Sequence, residues 1–254
     1  MQRYGLIGKA LGHSFSKEFF TEKFKREGLS DHRYELFELP DISDFPQLIQ
    51  ADPELRGLNV TLPYKQSVIP YLTSLDPLAA AVGAVNTVAF RNGELIGHNT
   101  DVFGFRSMVE PIIGSLRDPG SDLRPRALVL GSGGASRAVA FVLREAGIRF
   151  RIVSRDRSRG ELTWDMLDRT VISVCKLIIN TTPLGMHPAV EEAPPMPYEA
   201  LTPKHVLVDL VYNPERTRFL KQGEEMGART IGGLAMLHAQ AEEAWRVWNS
   251  PENT

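Results

Sequence analysis

The sequence predicts an α/β protein of two domains, and three observations carry that expectation. The first hundred residues alternate strand and helix patterns and end in a hairpin, which fits a mixed sheet covered by helices. A connection rich in Gly, Pro, Ser, Asp and Arg, from Gly114 to Arg126, then separates this stretch from a second unit. Beyond it an apolar strand runs straight into a glycine turn and a helix, the opening of a βαβ unit. A length of 254 residues suits one large domain or two modest ones, and 43% hydrophobic residues can bury a real core.

In order, Arg3 to Ile7 reads as a strand, followed by a loop from Gly8 to Gly12. Glu18 to Glu27 is an amphipathic helix, with Phe19, Phe20 and Phe24 at helical spacing and Gly28 as its stop. Tyr34 to Leu39 is a second strand, Pro40 and Asp41 start a helix, and Leu55 to Thr61 is a third strand. Pro63 sits where a strand stops and a helix can start, so the spacing predicts a helix as far as Leu72. Val85 to Phe90 and Glu94 to Gly97 flank an Asn92-Gly93 turn and read as a hairpin. Phe103 to Ile113 is helical. Arg126 to Leu130 is the strand before the glycine turn, Arg137 to Ala146 the helix after it, and Phe150 to Val153 the next strand. Lys176 to Asn180 and Val206 to Leu210 are further strands. A helix from about Thr217 to Met226 precedes Gly232-Gly233, and Leu234 to Trp248 is a last amphipathic helix. Leu234, Leu237, Ala241 and Trp248 form its apolar stripe, with Gln240 at the flank where a polar group needs a partner.

Composition narrows the function classes. A net charge of −2 offers nothing to nucleic acid or to an anionic membrane surface. No apolar run is long enough to span a bilayer, and Met1 to Gly8 reaches glycine too early for a signal-peptide core. The single cysteine, Cys175, sits in an apolar segment and reads as a small buried hydrophobe. The expectation is a cytoplasmic protein with no nucleic-acid or membrane partner and no metal, since no His/Cys cluster has ligand spacing.

Several residues stand out chemically. Lys65 falls at the positive end of the helix predicted after Pro63, a poor place for a cation if helix stability were its purpose. Ser14 and Ser16 flank one residue at a helix start; one hydroxyl suffices for a cap, whereas two with free N–H groups suit a carboxylate. Asp101 is placed to cap the helix that follows it. Gly131-Ser132-Gly133-Gly134-Ala135 lies between strand and helix, where backbone can approach a pyrophosphate. At the end of the next strand, Ser154-Arg155-Asp156-Arg157-Ser158-Arg159 has arginines where an NAD site would carry an acid, which suits the 2′-phosphate of NADP.

Short strings then coincide in order: His13-Ser14-Phe15-Ser16, Asn59-Val60-Thr61-Leu62-Pro63-Tyr64-Lys65, Gly83-Ala84-Val85-Asn86-Thr87, Asn99-Thr100-Asp101, Gly131 to Ala135, Asp209-Leu210-Val211-Tyr212-Asn213-Pro214, and Gly232 to Gln240. With these strings, which run over nearly the whole chain, the sequence resembles the shikimate dehydrogenase family. The resemblance implies a substrate domain of residues 1–104, with the C-terminal helix 235–254 packing back on it, and a Rossmann NADP-binding domain of residues 105–234. The active site would lie in the cleft between them. The implied reaction is reversible NADPH-dependent reduction of 3-dehydroshikimate to shikimate, on the route to chorismate and the aromatic amino acids. Lys65 and Asp101 would be the catalytic pair, and Ser14, Ser16, Thr61, Asn86, Tyr212 and Gln240 would bind substrate. Gly131, Ser132, Gly133, Gly134 and Ala135 would hold the pyrophosphate, with Ser154, Arg155 and Arg159 around the adenosine phosphate and Leu210 and Gly233 near the nicotinamide. The protein would act as a monomer or homodimer. Lys17, Ser132, Ser154 and Asp156 depart from the commoner family residues Pro, Ala, Asn and Thr.

The residue types agree with ketone reduction, since an ammonium can polarise the carbonyl oxygen and deliver a proton while short polar side chains hold a polyol acid. Three other readings stand beside this one: a broader quinate/shikimate dehydrogenase, a non-catalytic sensor of shikimate or NADP, and a dehydrogenase of another small ligand. His13 and His238 are read as loop shaping and packing.

Overall fold

A computed structural model describes residues 1–12, 14–116 and 125–250; His13, residues 117–124 of the connection and residues 251–254 lie outside it. The chain forms two compact units, Met1–Phe103 with Gln240–Thr254, and Gly104–Ala239.

The first unit contains β1 (Gln2–Gly8), α1 (Phe15–Arg26), β2 (His32–Glu38), α2 (Phe45–Ala51), β3 (Leu55–Val60), β4 (Ser74–Leu75), α3 (Pro77–Val82), β5 (Thr87–Arg91) and β6 (Glu94–His98). Its sheet has the order β2-β1-β3-β5-β6-β4. β1 pairs in parallel with β2 and β3, whereas β5 is antiparallel to both β3 and β6, so the sheet is mixed. The hairpin turn has Asn92 at φ 50 and Gly93 at φ 83, the left-handed pair that a two-residue hairpin needs. Helix α4 (Asp101–Ile113) follows.

One face of this sheet packs Ile7, Leu58, Val60, Val85 and Val88 against Phe45, Tyr64 and Val68. The other packs Tyr4, Phe20, Phe24 and Tyr34 against Ala241 and Ala244 of the C-terminal helix. Trp248 caps this second core: its indole N–H donates to the Val88 carbonyl at 3.1 Å and its ring lies 4.9 Å from that of Tyr4. Gly57 faces the same indole, with no room for a side chain.

The second unit holds β7 (Arg126–Leu130), α5 (Gly134–Glu145), β8 (Arg149–Val153), α6 (Arg169–Val174), β9 (Leu177–Asn180), β10 (Val206–Asp209), α7 (Arg218–Glu225), β11 (Arg229–Ile231) and the start of α8 (Leu234–Asn249). Its sheet, β11-β10-β9-β7-β8, is parallel throughout. β9 and β10 are buried along their whole length, as a parallel sheet covered on both faces requires. The chain steps from β7 to β8 on one side and returns to β9 on the other, so the switch point of this open sheet lies at β7, beside its glycine turn. Cys175 is buried in this unit's core, and burial pushes its thiol up to about 11, so it behaves as the apolar residue expected.

The stretch after β3 departs from the expected helix. Residues 62–68 form successive turns, and only Ile69–Tyr71 closes a short 3₁₀ helix. The Leu62-Pro63 peptide is cis. A helix would spend the Lys65 carbonyl on residue 69; here it accepts from the Val85 N–H at 2.7 Å, while the Ile69 N–H turns to Gln66 O at 3.2 Å. Lys65 is therefore pinned by its backbone to the loop before β5, and the macrodipole expected beneath it is not formed.

A methyl at Gly57 would overlap the Trp248 indole. Gly57→Ala should destabilise the protein by roughly 1–3 kcal/mol, the usual cost of overpacking a core. Thermal or urea unfolding checks this, and an unchanged midpoint would contradict the packing.

Candidate active site

Lys65 and Asp101 meet. Lys65 Nζ donates to Asp101 Oδ2 at 2.6 Å, with the lysine side chain 14% and the aspartate 6% exposed. Asp101 is not the cap of α4. Asn99 takes that role, its Oδ1 accepting from the Val102 N–H at 3.2 Å while its Nδ2 donates to the Ala84 carbonyl at 2.8 Å. This releases the Asp101 carboxylate, in the first turn of α4 where positive potential favours its charge. Its second oxygen, Oδ1, accepts from Asn86 Nδ2 at 2.9 Å. A nearly buried carboxylate with both oxygens bonded is a stable anchor for one lysine hydrogen, and it leaves the ammonium two further donors.

Asn86 joins the remaining polar groups. Its Oδ1 accepts from the Thr100 N–H at 2.7 Å, which fixes which end of the amide faces Asp101. Its Nδ2 also donates to Thr100 Oγ1 at 3.0 Å and reaches Gln240 Oε1 at 3.5 Å. Gln240, expected at the flank of its helix, thus points at the same cluster. Thr61 stands just after β3, with its N–H bonded to Ile7 O at 2.9 Å and its carbonyl accepting from Tyr64. Ser14 stands at the N-terminus of α1 yet makes no side-chain capping bond there, and Ser16 lies in the first turn of the same helix.

A second layer of buried polar residues supports these groups. Tyr34 donates to Asn59 Oδ1 at 2.7 Å, and Asn59 Nδ2 donates to Thr87 Oγ1 at 3.2 Å and to the Asn86 carbonyl at 3.4 Å. Tyr34, Asn59, Thr87, Asn99 and Thr100 have no role in the expectations drawn from sequence. Four of them sit inside the strings quoted above and could have been found there; Tyr34 reads as an ordinary strand aromatic.

In the second unit, Gly131 adopts φ +112 and has Thr181 Oγ1 where a side chain would go, so the turn requires glycine. Gly133 caps α5 without a side-chain bond, and a Cβ added there would meet nothing. Open space before the N-terminus of a helix fits an anionic group such as a pyrophosphate. Ser132 and Ser154 hydroxyls lie 3.0 Å apart, and Arg159 donates to Ser132 O at 3.1 Å, so the glycine turn and the arginine loop are joined. Asp156 caps the short turn Arg157–Arg159 by accepting from the Ser158 N–H and hydroxyl, and these bonds hold its carboxyl below the usual range. Its charge is thus engaged within the loop. Arg155 is exposed and makes no ion pair among the described residues.

Asp209, present in the quoted strings without an assigned role, is a buried polar hub of the second unit. It is wholly buried at the end of β10 and accepts from Asn180 Nδ2 at 2.9 Å, the Val211 N–H at 3.0 Å and Thr217 Oγ1 at 2.6 Å. It ties together the loops that follow β9 and β10, including Leu210 and Tyr212. Burial pushes its carboxyl up to about 6, against the pull of those three donors. The Leu210 carbonyl lies where a Cβ on Gly233 would be, which explains the glycine there.

Residues 6–88 match the sequence profile of the shikimate dehydrogenase substrate binding domain. The shikimate dehydrogenase (NADP(+)) of Halothermothrix orenii is 36% identical over 97% of this chain and 90% of its own. Among solved structures, the shikimate 5-dehydrogenase of Thermus thermophilus, in complex with NADP(H) and shikimate, is 33% identical with a TM-score of 0.83, covering 99% of this chain and 94% of that one. The quinate dehydrogenase of Corynebacterium glutamicum, in complex with NAD, superposes equally well, with a TM-score of 0.84 at 29% identity over 99% of this chain and 94% of that one.

A carboxyl titration by NMR should find Asp209 with a midpoint near 6 and Asp156 below its ordinary 3.8. The sign follows from linkage: a folded value raised above the unfolded one gives Asp209 a stabilising contribution that is full below pH 3.8 and lost as pH rises through about 6. A midpoint for Asp209 near 3.8 would contradict the effect of burial.

Proposed function

The chain belongs to the shikimate dehydrogenase family, and we propose that Lys65 and Asp101 are its catalytic pair. The enzyme is an NADP-dependent oxidoreductase acting on a CH–OH group, and it interconverts 3-dehydroshikimate and shikimate on the way to chorismate and the aromatic amino acids. The observation that carries the assignment is the 2.6 Å bond between Lys65 Nζ and Asp101 Oδ2.

NADP supplies or accepts the hydride when bound. In the reducing direction Lys65 Nζ polarises the ketone oxygen and gives it a proton as negative charge develops there. In the reverse direction the lysine amine removes the hydroxyl proton. Asp101 holds one Nζ hydrogen and so aims the other two. Asn86, Gln240 and Thr61 bind the ring hydroxyls, Ser14 and Ser16 bind the substrate carboxylate, and Tyr212 is a further substrate contact. Gly131 to Ala135 hold the pyrophosphate, Ser154, Arg155 and Arg159 the 2′-phosphate, and Leu210 and Gly233 flank the nicotinamide. In this reading the first unit binds substrate and the second binds NADP. The enzyme works in the cytoplasm as a monomer or homodimer.

The engagement of Asp156 with Ser158 supports NADP over NAD, because it satisfies the one acid of the arginine loop locally. Lys65→Ala should lower kcat by roughly 10²–10⁴-fold, the range for loss of a positioned acid/base, with a smaller effect on KM. Near-normal turnover would remove Lys65 from the mechanism. Arg155→Ala should lower kcat/KM with NADP by about tenfold or more and leave the value with NAD nearly unchanged, since it removes a charge-assisted phosphate contact. Equal losses with both cofactors would count against a phosphate role. Assaying shikimate beside quinate sets the substrate preference, with shikimate expected to be the faster.

A further inference from the structure

We propose that Tyr34 and Thr87 are positioning residues in a buried hydroxyl–amide relay that ends on Asn86, Thr87 bonding the Asn86 side chain directly and Tyr34 acting on it through Asn59. The proposal rests on the assignment of Asn86 and Asp101 to the reacting end.

The direction of the relay follows from groups that cannot reverse. Asn59 faces the Asn86 backbone carbonyl on one side, at 3.4 Å. A carbonyl only accepts, so Asn59 must present Nδ2 there and Oδ1 to the Tyr34 hydroxyl 2.7 Å away. Tyr34 therefore spends its only hydrogen on Asn59, and its oxygen is left to accept. On the other side Asn59 Nδ2 donates to Thr87 Oγ1 at 3.2 Å, so the Thr87 hydrogen is directed onward to Asn86 Oδ1 at 3.2 Å or Thr100 Oγ1 at 3.3 Å. From Asn86 the chain passes to Asp101 and then to Lys65.

Burial makes this geometry unforgiving. Tyr34 is 4%, Asn59 6%, Asn86 3% and Thr87 0% exposed, so no bulk water stands ready to replace a lost partner. Tyr34 is also clamped by its ring, stacked on Phe20 of α1 with centroids 4.6 Å apart. Its hydroxyl is thus a fixed point against which Asn59 of β3 is held. Thr87 lies directly opposite Asn59 in the antiparallel pair of β3 and β5 and is the side-chain link between Asn59 and the Asn86 amide.

Tyr34→Phe keeps the ring and removes the hydroxyl that orients Asn59; kcat should fall about threefold with KM nearly unchanged, because the effect reaches Asn86 through Asn59 and Thr87. Thr87→Val keeps the shape and removes the hydroxyl; kcat should fall about tenfold with KM nearly unchanged, through displacement of Asn86 and Asp101. Thr87→Ser restores the hydroxyl and should recover most of kcat. All rates are taken per active site titrated by NADP binding, so a loss of folded protein does not imitate a loss of rate. Wild-type kcat and KM in both Tyr34→Phe and Thr87→Val would overturn the relay, as would Thr87→Ser behaving like Thr87→Val. The underlying catalytic reading fails separately, through an active Lys65→Ala.

Discussion

A buried carboxylate with nothing to hold it is one of the costlier things a protein core can contain, and Asp101 shows what is needed to keep one. Lys65 takes one oxygen and Asn86 the other. Each of those partners needs its own support. Asn86 is held by the Thr100 N–H, and Lys65 by the bond from its carbonyl to the Val85 N–H. Asn99 relieves Asp101 of the capping duty that its position in the sequence would otherwise assign to it. The turns after β3, the loop before β5 and the start of α4 are thus arranged around one ion pair. The same pair gives the ammonium its direction.

The second unit repeats the logic with a different residue. Asp209 gathers three donors from separate segments and fixes the loops after β9 and β10. Two of these donors meet on one carboxylate oxygen and the Thr217 hydroxyl takes the other. Leu210 and Tyr212 lie on one of these loops, so their placement is inherited from this carboxylate.

Much of this is legible in the sequence because its signals are local. The Asn92-Gly93 hairpin, the glycine turn between β7 and α5, and the apolar strands of the parallel sheet each follow from a few neighbouring residues. Helix α3 escapes notice although Asp76, Pro77 and Gly83 are its cap, first residue and left-handed stop; six residues are too few for a periodic pattern. Helix α6, capped by Asp168, is lost in the same way. The error after Pro63 has another cause. That segment has the local marks of a helix start, and what prevents the helix is a hydrogen bond to Val85, twenty residues on, which no window of sequence contains. The bonds made by Tyr34, Thr87 and Thr100 are likewise not local: they exist only once the strands of the first sheet, in the order β2-β1-β3-β5, are assembled.

The composition of the first unit has a bearing on how the protein is made. Its second core is closed by Ala241, Ala244, Trp245 and Trp248, residues that leave the ribosome only after the whole of Gly104–Ala239 has been synthesised. Until then Tyr4, Phe20, Phe24 and Tyr34 have no cover on that face. The second unit is continuous in the chain and needs nothing beyond itself to complete its sheet. Domains fold as units as they emerge, so the part of the enzyme made first is the part that finishes last. During that interval its aromatic face is the surface a chaperone would have reason to hold.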